Sequence, residues 1–315
     1  MNAIEARLLA RRYRGIGPGG RPGTPRGTWA LRDCNLVIPS GRVVALVGPN
    51  GAGKTTLLSI AAGLLRPTSG DLTVLDGCRP GSAAARTGIG FVAQDAPLYK
   101  HLPTADMVAV AAKLNDSFDA DWALARLKEL RIALRQKVGA LSAGQRAQLA
   151  LTLAIAKRPR LLLLDEPMAA LDPLARHEFM ALLMAAVAEY GPTVVFSSHQ
   201  VSELERAADY LIVLNEGRLQ VAGPVDDLLE AHRILIGPVG NSSFEGEKFA
   251  VVQATQAAAQ SQLLIRTDDR AGLVPPGWLS QPAGLTDIVL AYLRDPEQSA
   301  LPKPGLAASA AGGSR

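Results

Sequence analysis

A chain of 315 residues, 48% of them hydrophobic, can bury one large α/β core and a small appendage. Its two cysteines, Cys34 and Cys78, show no C-x-x-C spacing, which argues against a disulfide framework or a zinc site. A net charge of +4 is too mild to demand a nucleic-acid partner.

The charge is uneven. Arg7, Arg11, Arg12, Arg14, Arg21, Arg26 and Arg32 gather near the N-terminus, which reads as contact with anionic lipid heads or as a solvated arginine-rich edge. Residues 15–27 form an insertion rich in Gly, Pro and Arg ahead of the first core strand. Residues 1–20 lack the apolar core of a secretion signal. No run in the chain approaches the ~18 apolar residues of a spanning helix, so the cytosol is the expected location.

Residues 42–47 are a short β-branched and aliphatic run, expected as a buried parallel strand. They lead into Gly48-Pro49-Asn50-Gly51-Ala52-Gly53-Lys54-Thr55-Thr56. Residues 56–65 then carry apolar side chains at helical spacing, with Pro67 as the expected stop. Strand, glycine-rich loop and helix together make an anion site. Backbone N–H groups wrap a β-phosphate and the helix N-terminus adds partial positive charge. Lys54 reaches the β/γ oxygens, and the Thr55 hydroxyl ligates Mg²⁺. The expectation is a protein that binds a nucleoside triphosphate.

Residues 89–93 read as a further strand, followed by Gln94, and residues 96–140 as a helical insert with amphipathic spacing over 121–130. Leu141-Ser142-Ala143-Gly144-Gln145 then opens a long alanine- and leucine-rich helix, a capped N-terminus and second potential anion site. The four leucines 161–164 suit a central strand covered on both faces and end in Asp165 and Glu166. Alone, such an Asp-Glu pair reads as a helix cap and first-turn acid. Beside a phosphate loop, Asp165 is expected to hold Mg²⁺ through a water. Glu166 is then the general base for water attacking the γ-phosphate, an effect of ~10²–10⁴-fold. Ala170-Leu171-Asp172-Pro173 follows, then a buried helix at 180–188, a strand at 193–198, and His199. Residues 215–218 mark a hairpin-like turn.

These motifs, in this order over residues 4–232, resemble the ATP-binding cassette (ABC) family. Its Leu-Ser-Gly-Gly-Gln signature is matched at four of five positions, with Ala143 where glycine is usual. The resemblance implies that this segment acts on the nucleotide of a second subunit, where the extra methyl would crowd the γ-phosphate. Gln94 is similar to the glutamine that links metal and attacking water to the transport machinery, which makes it a metal contact beside Thr55 and Asp165. Asp172 resembles the D-loop aspartate. His199 resembles the switch histidine that contacts the γ-phosphate and completes a catalytic group with Glu166 and Gln94. Tyr13 looks like the aromatic residue that stacks on adenine, worth ~1–3 kcal/mol on any base. Trp29 is a rival for that role, or a packing residue.

The implied fold is α/β: a P-loop NTPase (RecA-like) core with an ABC β-subdomain and a helical signature subdomain at about 96–157. The ABC ATPase domain would span 1–236, a small α+β C-terminal extension 237–300, and a disordered tail 301–315. Strands are expected at 249–255 and 261–267 and a helix at 285–293. The implied partners are a second ABC subunit, identical or different, meeting head to tail, and an integral membrane permease at the cytoplasmic face. In the family the helical insert and Gln94 form the groove that receives the permease, and Leu98, Tyr99 and Leu102 are candidate contacts or plain packing residues. The extension resembles that of drug- and polymer-exporting (ABC-2 type) systems, so export is the expected direction. The alternatives are import, or a soluble ATPase acting on ribosomes or DNA. DNA-acting members insert a long coiled coil between phosphate loop and signature, and residues 48–141 carry no sustained heptads.

Overall fold

Four leucines in a row offer no polar face, and the fold asks for none. In the computed structural model, which describes residues 1–13, 27–199, 207–238, 249–257, 260–267 and 277–294, each of Leu161–Leu164 is wholly buried. Around that strand the chain builds, in order, β1 (Asn2–Tyr13), β2 (Thr28–Pro39), β3 (Val43–Val47), α1 (Lys54–Ala61), β4 (Ser69–Val74), α2 (Ala83–Gly88) and β5 (Ile89–Val92). Three helices follow, α3 (Thr104–Leu114), α4 (Ala120–Glu129) and α5 (Ala143–Ala156). Next come β6 (Leu161–Leu164), α6 (Pro173–Tyr190), β7 (Thr193–Ser198), β8 (Tyr210–Asn215) and β9 (Arg218–Pro224). The C-terminal part holds α7 (Val225–Ala231), β10 (His232–Pro238), β11 (Phe249–Ala257), β12 (Gln260–Thr267), β13 (Leu279–Pro282) and α8 (Leu285–Arg294). Most of the 15–27 insertion and all of the 301–315 tail lie outside the described residues.

The central sheet has the order β5-β6-β7-β3-β8-β9, parallel except for β9. Alternate residues of each inner strand feed different layers. Val43, Ala45, Val47, Leu162 and Leu164 pack with α5, α6 and α8. Val44, Leu46, Leu161 and Leu163 pack with α1 and the antiparallel sheet β2-β1-β4. Helical residues Met107, Ala123, Leu127 and Leu149 form a separate cluster. The 215–218 turn joins β8 to β9, with both Glu216 (φ 47°) and Gly217 (φ 75°) left-handed, the backbone a two-residue hairpin needs.

Three expectations are revised. Helix α1 ends at Ala61, well before Pro67, because Gly63 takes φ 77° and the amides of residues 63–65 turn back onto Ile60 and Ser59 carbonyls. Helix α6 starts at Pro173, since the Asp172 carboxylate caps Ala175 N at 2.9 Å. The expected division at 236/237 falls inside a strand: β10 already belongs to the C-terminal antiparallel sheet, order β11-β12-β10-β13.

The C-terminal unit also shares the main core. Helix α8 touches both β8 and β9 of the central sheet and β11 and β12 of its own. Ile288, Val289 and Tyr292 join the cluster of Leu211 and Val213, and the Asn215 side chain donates to Leu293 O at 2.9 Å. Buried His232 donates from Nδ1 to Leu228 O (2.6 Å), so its Nε2 is the acceptor for the Tyr292 hydroxyl (3.0 Å). Burial pushes the His232 imidazole down and lifts the Tyr292 phenol to about 12.

Candidate active site

Parallel register gathers the candidate residues at one rim of the sheet. Val92, Leu164 and Phe196 lie side by side on β5, β6 and β7, and Val47 lies beside Ser198. Chain leaving those carboxyl ends carries Gln94, Asp165-Glu166, His199 and the glycine loop, the rim where open α/β sheets hold ligands.

Two loop glycines are fixed by crowding as well as by any phosphate. A Cβ on Gly48 would stand 2.1 Å from Leu214 O. One on Gly53, at φ 108°, would stand 2.3 Å from Ala30 O. The first-turn amides of α1 have no intrahelical acceptor and are left for an anion. Lys54 is 4% exposed, and its ammonium has three acceptors: Gly48 O (2.7 Å), Pro49 O (3.2 Å) and Glu166 Oε1 (3.0 Å). All three of its protons are thereby used.

Glu166 is nearly buried and holds a left-handed backbone, φ 43°. Its other oxygen, Oε2, lies 3.3 Å from His199 Nδ1, and the His199 ring is substantially exposed. Asp165 is 2% exposed, and its Oδ1 accepts from the Ser197 hydroxyl at 2.9 Å, while Ser197 accepts from Glu166 N at 2.8 Å. Ser197 was missed in the sequence. Its only signal there is a polar residue closing the otherwise apolar run Val194–Phe196.

The other candidates lie further out. Gln94 is exposed beyond β5. Ser142 and Gln145 form a reciprocal capping box at the start of α5, at 3.1 and 3.0 Å, and Ser142 and Ala143 are exposed. Internal packing is tighter at Gly144, where a Cβ would stand 3.1 Å from the Ala175 Cβ. Leu141, the first signature residue, is buried in the helical cluster.

Tyr13 is 40% exposed. Its hydroxyl is 3.4 Å from Thr56 Oγ1, and the Arg11 guanidinium lies 5.0 Å from its ring centre. Trp29 is half-buried under Arg12, at 5.4 Å. Three of the N-terminal arginines have local partners: Arg7 pairs with Glu5 at 2.6 Å, Arg11 donates to Arg66 O at 2.9 Å, and Arg12 donates to Gly27 O at 3.1 Å. Arg14, Arg21 and Arg26 lie outside the described residues.

The donor set fits Mg²⁺. One carboxylate and one hydroxyl, Asp165 and Thr55, are hard oxygens of the kind that complete an octahedron with phosphates and water. Among the described residues there is no cluster of three or more His, Cys, Asp or Glu that would favour another metal.

A groove of about 1010 Å³ opens between the core and the helical part, lined by Leu64, Phe91, Pro97, Leu98, Tyr99 and Leu114 among others. Leu98 and Tyr99 line it. Leu98 also packs against the helical cluster, as does Leu102, which is not among the lining residues. No described helix is long and apolar enough to cross a membrane.

Residues 31–169 match the family model described as ABC transporter. A sulfate/thiosulfate import ATP-binding protein of Mesorhizobium japonicum is 35% identical over 225 residues, 68% of this chain and 65% of its own length. A like-named protein of Agrobacterium fabrum is 32% identical over 263 residues, 76% of this chain and 75% of its own. The chain thus spans about two-thirds to three-quarters of these relatives. Among solved structures, the dimeric structure of MJ0796, a bacterial ABC transporter cassette, matches with a TM-score of 0.61 and 26% identity, covering 70% of this chain and 98% of that one. CbiO1 from Clostridium perfringens, part of the cbiONQ transporter complex, matches with a TM-score of 0.58 and 28% identity, covering 72% and 90%. In fold, in motif order and in relatives, the chain belongs to the ABC transporter family.

Proposed function

We propose that this chain is the ATP-hydrolysing subunit of a membrane transporter, working from the cytoplasmic face on a separate permease. The observation that carries this reading is the contact of Lys54, Glu166 and His199 at the mouth of the glycine loop, with Asp165 beside them. Triphosphate entering the loop displaces Glu166 from Lys54, whose ammonium moves to the β/γ oxygens. The freed Glu166 carboxylate takes a proton from water as the water oxygen bonds to the γ-phosphorus and the bond to the β–γ bridging oxygen breaks. His199, on the other side of Glu166, would contact the γ-phosphate, and Tyr13 would stack on the base. Thr55, Asp165 and Gln94 would hold Mg²⁺, which when bound with the nucleotide neutralises charge on the β/γ oxygens.

The exposed start of α5, Ser142 to Gln145, is free to face the γ-phosphate on a second subunit, so that closure depends on that group and its loss reopens the pair. The dimeric MJ0796 cassette supports a two-subunit assembly. The apolar groove beside Gln94 is the surface for the permease. The relatives' names are those of import proteins, which supports import in place of the export expected from the C-terminal extension.

The test is recovery of the full chain from detergent-solubilised membranes and identification of what comes with it. A multi-spanning partner is the expected result, and recovery only with ribosomes or DNA would refute transport. Reconstituted with that partner and given ATP on its own side, the subunit drives solute toward that side for import and away from it for export.

A further inference from the structure

After Thr193, strand β7 is apolar through Phe196, and Ser197 is the residue where it changes. The side chain is wholly buried between β6 and β3. A buried hydroxyl needs partners, and Ser197 finds both in the acid pair: it donates to Asp165 Oδ1 (2.9 Å) and accepts from Glu166 N (2.8 Å). Glu166 needs such support, because its φ of 43° is unfavourable for a residue with a Cβ. The pair is also tied through the main chain, by Asp165 N to Val92 O (2.9 Å) and Ala169 N to Glu166 O (3.2 Å), and through the Glu166 carboxylate to Lys54 and His199, but Ser197 is the side chain that joins Asp165 to the Glu166 backbone. One hydroxyl therefore sets the plane of the Asp165 carboxylate and the backbone from which Glu166 reaches Lys54.

We propose that Ser197 is a positioning residue for hydrolysis: it orients Asp165 toward the metal and Glu166 toward the attacking water without itself touching the nucleotide. The proposal rests on the roles given above to Asp165 and Glu166. Ser197→Ala leaves the Glu166 amide buried without its acceptor and Asp165 without a donor. Hydrogen bonds to charged groups are strong enough that kcat should fall about 10- to 100-fold. The half-saturating Mg²⁺ concentration should rise together with that fall. ATP binding in EDTA should stay within about two-fold of wild type, because Lys54 keeps Gly48 O and Pro49 O and the Glu166 charge is not removed.

Steady-state ATPase with Mg²⁺ titration, and binding of a fluorescent ATP analogue in EDTA, are measured on the full chain. The variants are Ser197→Ala, Ser197→Thr and Ser197→Cys, with Glu166→Gln as control. Ser197→Thr keeps the hydroxyl and is expected to recover most of kcat and the Mg²⁺ requirement. If Ser197→Ala loses metal-free binding, Ser197→Cys carries the same expectation, since it keeps the volume but weakens both bonds. Unchanged kcat and Mg²⁺ requirement in Ser197→Ala or Ser197→Cys overturns the proposal, as does equal damage in Ser197→Thr and Ser197→Ala. Normal turnover in Glu166→Gln instead refutes the role of Glu166 itself, a result separable from the Ser197 outcomes.

Discussion

Replacing Glu166 with glutamine separates two roles of one carboxylate. At 3.0 Å, with the two side chains 4% and 10% exposed, the Lys54–Glu166 attraction is about 5 kcal/mol at an effective dielectric of ~20. That is a ceiling, because desolvating both ions offsets much of it. The glutamine carbonyl can still accept from Lys54, and Gly48 O and Pro49 O remain, so the ammonium is not orphaned. What the substitution removes is the charge that competes with phosphate for Lys54. A net gain of about 1–2 kcal/mol, or roughly ten-fold tighter ATP binding, follows once the desolvation offset is taken. Turnover should fall in the same variant by ~10²–10⁴-fold with loss of the base. With Mg²⁺ present, ATP should then trap a closed dimer. Calorimetric titration of ATP in EDTA, phosphate release with Mg²⁺, and size-exclusion chromatography read the three effects. Metal-free binding equal to or weaker than wild type would show that Glu166 does not compete for Lys54. Near-normal phosphate release would remove it as the base.

Three further outcomes are expected. Ala143→Gly should leave ATP binding unchanged and hydrolysis undiminished, because residue 143 is exposed at the head of α5; a clear loss of phosphate release would mean that the methyl is fitted to this site. Tyr13→Ala should weaken ATP binding by about 1–3 kcal/mol while Trp29→Ala leaves it near wild type, and the reverse pattern in a binding titration would move the base to Trp29. Burial holds the His232 imidazole pKa below its ordinary value. The unfolded chain therefore takes up a proton below pH ~6.5 that the folded chain resists, and stability falls as pH drops through that range. The melting temperature of wild type should decline more steeply between pH 7.5 and 5.5 than that of His232→Gln, and parallel slopes would rule out His232 as a source of the acid sensitivity.

The parts legible in the sequence are those where a few neighbouring residues decide the local structure. Residues 161–164 suit a strand buried on both faces, and residues 215–218 between apolar runs mark a hairpin-like turn. The phosphate loop carries its chemistry in its own backbone. What was not legible depends on which strands become neighbours. Nothing along the chain ties Ser197 to Asp165 until parallel pairing sets β7 against β6. The Lys54–Glu166 contact needs β7 alone between β6 and β3 in the sheet order. The expected break at 236/237 followed a change in composition, whereas β10 is an apolar strand that pairs with β12. Leu102 was equally ambiguous, since an apolar residue in an amphipathic insert serves a groove or a core according to how the helix turns. Transport direction has no determinant within the phosphate loop at all.

Helix α8 has a consequence for how the protein is made. It is the last described element, yet it packs on β8 and β9 of the central sheet. While a ribosome builds β10 to β13, at ~5–20 residues per second, the apolar underside formed by Leu211, Val213 and Val221 lacks the part of its cover that α8 supplies. For those seconds the emerging cassette presents the kind of surface that chaperones bind and neighbouring nascent chains adhere to. A premature stop anywhere before residue 285 makes that exposure permanent, so nonsense changes late in the gene should remove the whole protein rather than trim it.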